Sequence, residues 1–460
     1  MSYAPTWESL DEHEAPQWFD EAKFGLFVHY SPSAYVADDT DYEPDELPEL
    51  SGFAADEWAD LALDAGAKYL VYTAAHRGGF CSYPSRVTEY SAREVGGPYD
   101  VVTPLADAVR SRGVKLGLYF NWNAHPPDTT DDSTWKSGPE EYKLDQAKEL
   151  VELYDPDIFW ADSGWYPSAE LQSTEFLAWY YNRAAARGRD VCANDRFGTE
   201  TRHEWVSTRY EWFRRADTAD HPDGRYPDFW YDSDRLLDAA GDETGRGDFF
   251  TGEHQVMRDV VDHKWETCLP LSRQWLWKRG GERKSISDLI RLLIDVVSKN
   301  GNLLLNVSPK PDGAIDEHDR YVAEGIGDWL AVNGEAIYGT RPFERPREDA
   351  VLLPDIDWEE WPRDDWVRLC DHLAEEGPLW YTRTGNVAYA LHHGWPGDSA
   401  FLEGLSVRDG ASVRMLGVDE DLEWTAEDGC VRVATPDERP CEHAYAFRVP
   451  MPMGDGMGGV

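Results

Sequence analysis

The chain has 460 residues, with 88 Asp plus Glu against 44 Lys plus Arg and a formal net charge of −44. Hydrophobic residues make up 41%, so a large core is within reach and global disorder is excluded. The length suits roughly two or three domains, and so acidic a surface repels phosphate backbones, which argues against nucleic acid as a partner.

The surface also repels itself, and Arg far outnumbers Lys. This balance reads as adaptation to high salt, where a Debye length of about 3 Å at 1 M screens the repulsion. Met1 to Asp20 is polar and acidic, so no secretory leader is expected. No stretch approaches the roughly 20 apolar residues of a membrane helix. The cysteines Cys81, Cys192, Cys268, Cys370, Cys430 and Cys441 lack metal-ligand spacing. They predict free thiols in a reducing compartment, here the cytoplasm. The sequence leaves the oligomeric state open.

In chain order, Lys23 to His29 is an apolar run ending in a histidine and stopped by Tyr30-Ser31-Pro32. Phe53 to Ala65 has helical spacing, with Trp58, Leu61, Ala62 and Ala65 on one face. Ala67 to His76 is a second apolar strand that again ends in a histidine, followed by Arg77-Gly78-Gly79. Asp100 to Arg112 predicts a helix closed by Gly113, and Val114 to Phe120 a third strand with Asn121 at its end. A helix is expected over Glu140 to Tyr154. Ile158-Phe159-Trp160-Ala161 is then a short buried strand that delivers Asp162 to its C-terminal end. Leu171 to Arg187 is helical, and Asp190 to Asp195 reads as a fifth strand.

Strands and helices that alternate, with near-continuous apolar strands, predict a parallel sheet covered on both faces. No Gly-x-Gly-x-x-Gly follows the first strand, so a dinucleotide-binding fold has little support. An irregular (β/α)8-like TIM barrel fits better. Active-site residues in that fold sit at the C-terminal strand ends. His29, His76, Asn121 and Asp162 all occupy such ends. A single polar residue there could be a turn or helix cap, but a succession of them would converge on one face.

Thr199 to Gly247 is acidic and aromatic, too long for a plain connection, and reads as a functional loop or inserted subdomain. Glu266 follows, beside Trp265. Ser285 to Lys299 is amphipathic and closes at Asn300-Gly301. Asn302 to Val307 is a closing strand, and Tyr321 to Leu330 a further helix. From about Thr340 the pattern changes to short alternating runs at 366–369, 386–392, 412–416, 430–433 and 443–449. These predict a C-terminal β-sandwich. The expected division is 1–340 for the barrel, with the insert at about 199–247, and 341–460 for the sandwich.

Paired carboxylates in different environments can supply a nucleophile and an acid/base for glycoside cleavage. Asp162 is the candidate nucleophile. Glu266 is the preferred acid/base, because Trp265 could help desolvate it, and Glu253 is the competing one. A metal hydrolase using His29, His76 and Asp162 is the rival chemistry, although no His-x-His pair ends the first strand. The aromatic content, 13%, suits sugar faces as well as a large core.

Several ordered motifs resemble the α-L-fucosidases of glycoside hydrolase family 29. They are Ala22 to His29, Ala65 to Val71 with Thr73 to His76, Gly117 to Phe120, Asn194-Asp195-Arg196, Trp265-Glu266-Thr267-Cys268, Asn300 to Val307 and Asn333 to Tyr338. The resemblance implies a retaining exo-glycosidase that acts on fucosylated oligosaccharides or glycosides and needs no metal or cofactor. It implies Asp162 as nucleophile and Glu266 as acid/base. It also implies His29, His76, Tyr119, Trp160 and Trp275 as sugar-binding residues. Arg77 stands where the family usually has a second histidine, and Tyr30-Ser31 where it has His-Trp-Gly. The early Glu-Trp loop is not recognisable between Tyr35 and Gly52, and Asp162 and Glu266 are 104 residues apart, a longer connection than usual. Those departures leave room for a related sugar as substrate, or for a sugar-binding relative without turnover.

Overall fold

The computed structural model describes residues 2–31, 49–76, 79–96, 99–122, 142–162, 168–198, 247–254, 256–257, 260–272, 274–281, 283–347, 379–427 and 429–452. Eight parallel strands come first: β1 (Phe24–Val28), β2 (Tyr69–Ala75), β3 (Lys115–Asn121), β4 (Ile158–Asp162), β5 (Cys192–Ala193), β6 (Phe250–Glu253), β7 (Trp265–Pro270) and β8 (Gly301–Val307). They form one sheet in the order β5-β4-β3-β2-β1-β8-β7-β6. A parallel bridge between Asn194 and Phe249 joins the two ends, so the sheet curls into a barrel.

The seam between β5 and β6 is held by few residues. Asp248 N donates to Ala193 O at 2.9 Å, and Ala193 N donates to Asp248 Oδ2 at 2.8 Å. A Cβ on Gly247 would lie 2.1 Å from Asn194 O, so only glycine admits this close backbone approach. The fifth strand is two residues long, shorter than the run at 190–195 predicts. The Asn194 side chain takes over the ladder, accepting from Ala161 N and donating to Ala161 O, both at 2.9 Å. This ties the seam to the residue before Asp162.

The expected helices are present as Ala55–Asp64, Val102–Ser111, Tyr142–Tyr154, Ser173–Ala186, Ile286–Ser298 and Glu317–Asn333. Ser285 caps the fifth by accepting from Asp288 N. Asn300, at φ 74°, makes the left-handed turn into β8. The last helix begins four residues before the expected Tyr321, because Asp316 caps it by accepting from His318 N. Strand β6 has no counterpart among the expected elements. Phe250-Thr251-Gly252-Glu253 is half-buried, short and polar, and its strand character comes from pairing with β7.

The C-terminal part is all antiparallel. Strands β9 (Arg341–Arg347), β10 (Leu379–Thr384), β11 (Val387–His393), β12 (Ser399–Glu403), β13 (Arg414–Met415), β14 (Trp424–Glu427), β15 (Cys430–Ala434) and β16 (Ala444–Pro450) make two sheets, β13-β16-β11-β10-β9 and β12-β15-β14. Leu379, Tyr381, Leu402, Val431, Val433 and Phe447 pack between them. Strands β9, β10, β12 and β14 are additions to the expected runs. The charged, proline-containing Arg341–Arg347 carries no alternating apolar signal. The run at 366–369 and the insert over 199–246 lie outside the described residues. The sandwich meets the barrel at a buried contact, where Trp380 Nε1 donates to Asp295 Oδ1 at 3.0 Å and Lys299 Nζ pairs with the same carboxylate at 2.8 Å.

Candidate active site

Asp162 is the last residue of β4, next to Asn121 at the end of β3. Both its oxygens are held. Tyr119 Oη donates to Oδ2 at 2.5 Å, and Arg196 Nη1 donates to Oδ1 at 2.8 Å. Burial and the Asp162 charge push the Tyr119 hydroxyl well above its ordinary range, so it stays protonated and remains a donor. Burial opposes the Arg196 charge, but Asp162 and Glu253 outweigh it and raise the guanidinium further.

Arg196 is placed from three sides. Its Nε donates to Thr251 Oγ1 at 3.0 Å. Thr251 in turn is fixed by Asp195 Oδ1, which accepts from Thr251 N at 3.1 Å and from Thr251 Oγ1 at 2.6 Å. The guanidinium carbon lies 4.7 Å from the centroid of the Trp160 ring, a cation–π contact. Nη2 reaches Glu253 Oε2 at 3.4 Å. Glu253 is the last residue of β6, so it stands at the same end of the barrel as Asp162.

Around this pair lie the rings that the sequence singles out. His29 and His76 meet edge to face with centroids 5.3 Å apart, and His76 lies 5.4 Å from Tyr119. Trp275 lies 4.8 Å from His29, and Tyr119 stacks on Trp160 at 5.6 Å. Asn306 sets the His29 tautomer. Its amide donates to Trp275 O and Ser308 Oγ, so its oxygen faces His29, 2.8 Å from Nδ1. Nδ1 therefore carries the proton, and Nε2 is an acceptor suited to a sugar hydroxyl. Burial, helped by His76, lowers the His29 pKa to about 3. The ring is neutral at any working pH. Trp275 is also approached by His254, whose left-handed backbone (φ 58°) follows directly on Glu253.

Glu266 is placed elsewhere. It is the second of six residues in β7 and is fully buried. Tyr69 Oη donates to its Oε2 at 2.5 Å and Trp160 Nε1 to its Oε1 at 2.9 Å. Burial raises its pKa to about 7. Tyr69 is the first residue of β2, and a Cβ on Gly25 would lie 2.4 Å from its ring. The glycine in β1 makes room for this tyrosine inside the barrel. Glu266 thus belongs to the interior towards the N-terminal strand ends, whereas barrel chemistry is carried at the C-terminal ends.

The structure brings together Asp162, His29, His76, Tyr119, Trp160, Trp275 and Glu253. Arg77 lies outside the described residues. Arg196, Thr251, Asp195 and Asn306 have no assigned role in the sequence reading. The triplet Asn194-Asp195-Arg196 carries the missed signal, since it is polar and directly follows a strand, as His29 and His76 do. No group of three or more His, Cys, Asp or Glu side chains among the described residues is arranged to hold a metal.

Residues 1–47, 40–235 and 230–335 match the sequence model of the family described as Alpha-L-fucosidase, and 371–450 that of the Alpha-L-fucosidase C-terminal domain. The chain is 31% identical to the tissue alpha-L-fucosidase of Rattus norvegicus, over 92% of this chain and 86% of the relative. It is 29% identical to that of Homo sapiens, over 97% and 91%. The crystal structure of Thermotoga maritima alpha-fucosidase in complex with fucose superimposes with a TM-score of 0.69, at 24% identity, covering 97% of this chain and all of that one. An alpha-L-fucosidase isoenzyme from Paenibacillus thiaminolyticus gives 0.67 at 22% identity. With its barrel and its C-terminal sheets both accounted for, the chain belongs to the α-L-fucosidase family, glycoside hydrolase family 29.

Proposed function

We propose that this protein is a retaining α-L-fucosidase in which Asp162 is the nucleophile and Glu253, rather than Glu266, is the acid/base. The observation that carries the assignment is the guanidinium of Arg196, which holds Asp162 with one nitrogen and reaches Glu253 with the other. Two carboxylates grouped about one guanidinium suit the short separation of retaining glycosidases, roughly 5 to 5.5 Å. Glu266 has both oxygens occupied inside the barrel.

In the first step the Asp162 carboxylate forms a bond to the anomeric carbon as the bond to the leaving oxygen breaks. Glu253 gives that oxygen its proton. In the second step Glu253 takes a proton from water, the water oxygen bonds to the anomeric carbon, and the bond to Asp162 breaks. Two inversions give net retention. The donors Tyr119 and Arg196 keep Asp162 ionised and aimed, and stabilise it again as it leaves. His29 Nε2 accepts from a ring hydroxyl. Trp275, which is only partly buried, offers an apolar face that suits the methyl group of a 6-deoxy sugar.

The acidic composition supports operation in high salt, and the free thiols of Cys81, Cys192, Cys268 and Cys441 support a reducing compartment such as the cytoplasm. The test is hydrolysis of p-nitrophenyl α-L-fucoside in molar salt, beside the β-D-galactoside and α-L-rhamnoside. Release from the fucoside, with Asp162→Asn lowered by about 10³-fold or more, is the expected result. Equal release from another glycoside, or an active Asp162→Asn, overturns it.

A further inference from the structure

Both donors that hold Asp162 rest on one indole. Tyr119 stacks on the Trp160 ring with an interplanar angle of 20°. Arg196 lies over the same ring at 4.7 Å. Phe27 packs against it at 5.1 Å. The rotation of that ring is fixed at its nitrogen, where Nε1 donates to Glu266 Oε1. Glu266 is in turn held by Tyr69, which burial and the Glu266 charge keep protonated and therefore a donor. Gly25 in β1 leaves the space that Tyr69 fills. A fully buried carboxylate is a costly way to fill a barrel. One of its two hydrogen bonds, from Trp160, anchors the platform beneath the nucleophile's donors, and the other, from Tyr69, fixes the carboxylate itself.

We infer that Glu266 is a positioning residue for the reaction: through its hydrogen bond to Trp160 it sets the indole on which Tyr119 and Arg196 lie, and so the aim of Asp162. A tilt of the ring moves both donors together. The carboxylate touches neither substrate nor reacting atoms, so its loss misaligns the attack without removing a proton donor. The inference rests on Asp162 as nucleophile.

The experiment compares Glu266→Gln, Trp160→Phe, the double variant, Glu253→Gln and Asp162→Asn on an activated aryl fucoside and on a fucoside with a poor leaving group. Thermal melts confirm that each is folded. Trp160→Phe keeps an aromatic ring but removes the anchoring N–H together with part of the platform, so it tests the link should Glu266→Gln fail to fold. The expected result is a fall in kcat of about 10- to 100-fold for Glu266→Gln. The factor should be equal for the two leaving groups, with KM nearly unchanged and no recovery on adding azide. Trp160→Phe should cost at least a similar factor, and the double variant no more than Trp160→Phe alone, because Gln weakens and Phe removes the same charge-assisted hydrogen bond. Glu253→Gln should instead lose most on the poor leaving group and regain rate with azide.

Three results overturn the inference. The first is Glu266→Gln or Trp160→Phe within twofold of the parent. The second is a multiplicative double variant. The third is azide recovery of Glu266→Gln with loss concentrated on the poor leaving group, which makes Glu266 itself the acid/base. An active Asp162→Asn removes the nucleophile reading, and the inference with it.

Discussion

Arg196 links Asp162 and Glu253, one at the end of β4 and the other at the end of β6, through the two terminal nitrogens of a single guanidinium. A lysine can supply the charge but not the fork. Arg196→Lys should therefore keep the fold and lower kcat/KM by about 10²- to 10³-fold, the usual cost of removing a preorganised donor. Arg196→Met should be no more than about tenfold worse. Steady-state kinetics on an aryl fucoside check this. A lysine variant near parental activity would show that charge alone suffices.

His29 gives a pH dependence of stability with a definite sign. The folded ring has a pKa of about 3, against an ordinary value of about 6.5. Between those values the unfolded chain binds the extra proton, so this residue makes stability rise with pH until about 6.5, above which the effect is complete. His29→Gln removes that dependence. The gap in unfolding free energy between pH 7 and pH 5 should shrink by about 2 kcal/mol relative to the parent. Denaturant unfolding at both pH values, in the same molar salt, measures it. An unchanged gap would mean that His29 titrates in the folded protein much as it does in the unfolded chain.

Much of this was legible in the sequence, and the reasons for the rest are physical. Strands β1 to β4 are apolar runs buried on both faces, and each ends on a polar residue or just before one, so the barrel and the positions of His29, His76 and Asp162 follow from pattern alone. Strand β6 does not. Its four residues carry no periodicity, and they become a strand only because β7 lies beside them. The place of Glu253 at a strand end is for that reason a tertiary fact that no local pattern carries. The adjacent tryptophan that favoured Glu266 is a true neighbour, but Trp265 turns its indole N–H to Lys299 O. The tryptophan that holds Glu266 is Trp160, distant in sequence. Sequence proximity marked the environment of Glu266 as desolvating without showing which face of the barrel it serves.

Glu266 should oppose His29 in its pH effect. Its folded pKa of about 7 lies above the ordinary carboxylate value near 4.5. Between the two, the folded state binds the extra proton, so stability falls as pH rises and the loss is complete above about 7. Glu266→Gln removes a group that is buried charged at alkaline pH. Its stability relative to the parent should improve by about 2 to 3 kcal/mol on going from pH 4.5 to pH 8. Paired denaturation curves test this, and a difference that is flat across the range, or falls, contradicts it. The same variant is expected to be slower in catalysis throughout, so raising the pH should improve its relative stability without restoring its rate.

The net charge of −44 predicts a salt response that separates the surface from the site. Repulsion between exposed carboxylates falls as the Debye length shrinks from about 10 Å at 0.1 M to about 3 Å at 1 M. The melting temperature should therefore climb steadily with KCl towards molar concentrations. The Asp162–Arg196 pair is largely shielded, with side chains 20% and 11% exposed, and screening reaches it far less. Activity per folded molecule should then change little over a range in which the folded fraction changes greatly. Calorimetry and initial rates on one KCl series measure both. A melting temperature that is flat or falling with salt refutes the high-salt adaptation. A steep loss of rate per folded molecule would show that the ion pair at the site is screened like the surface around it.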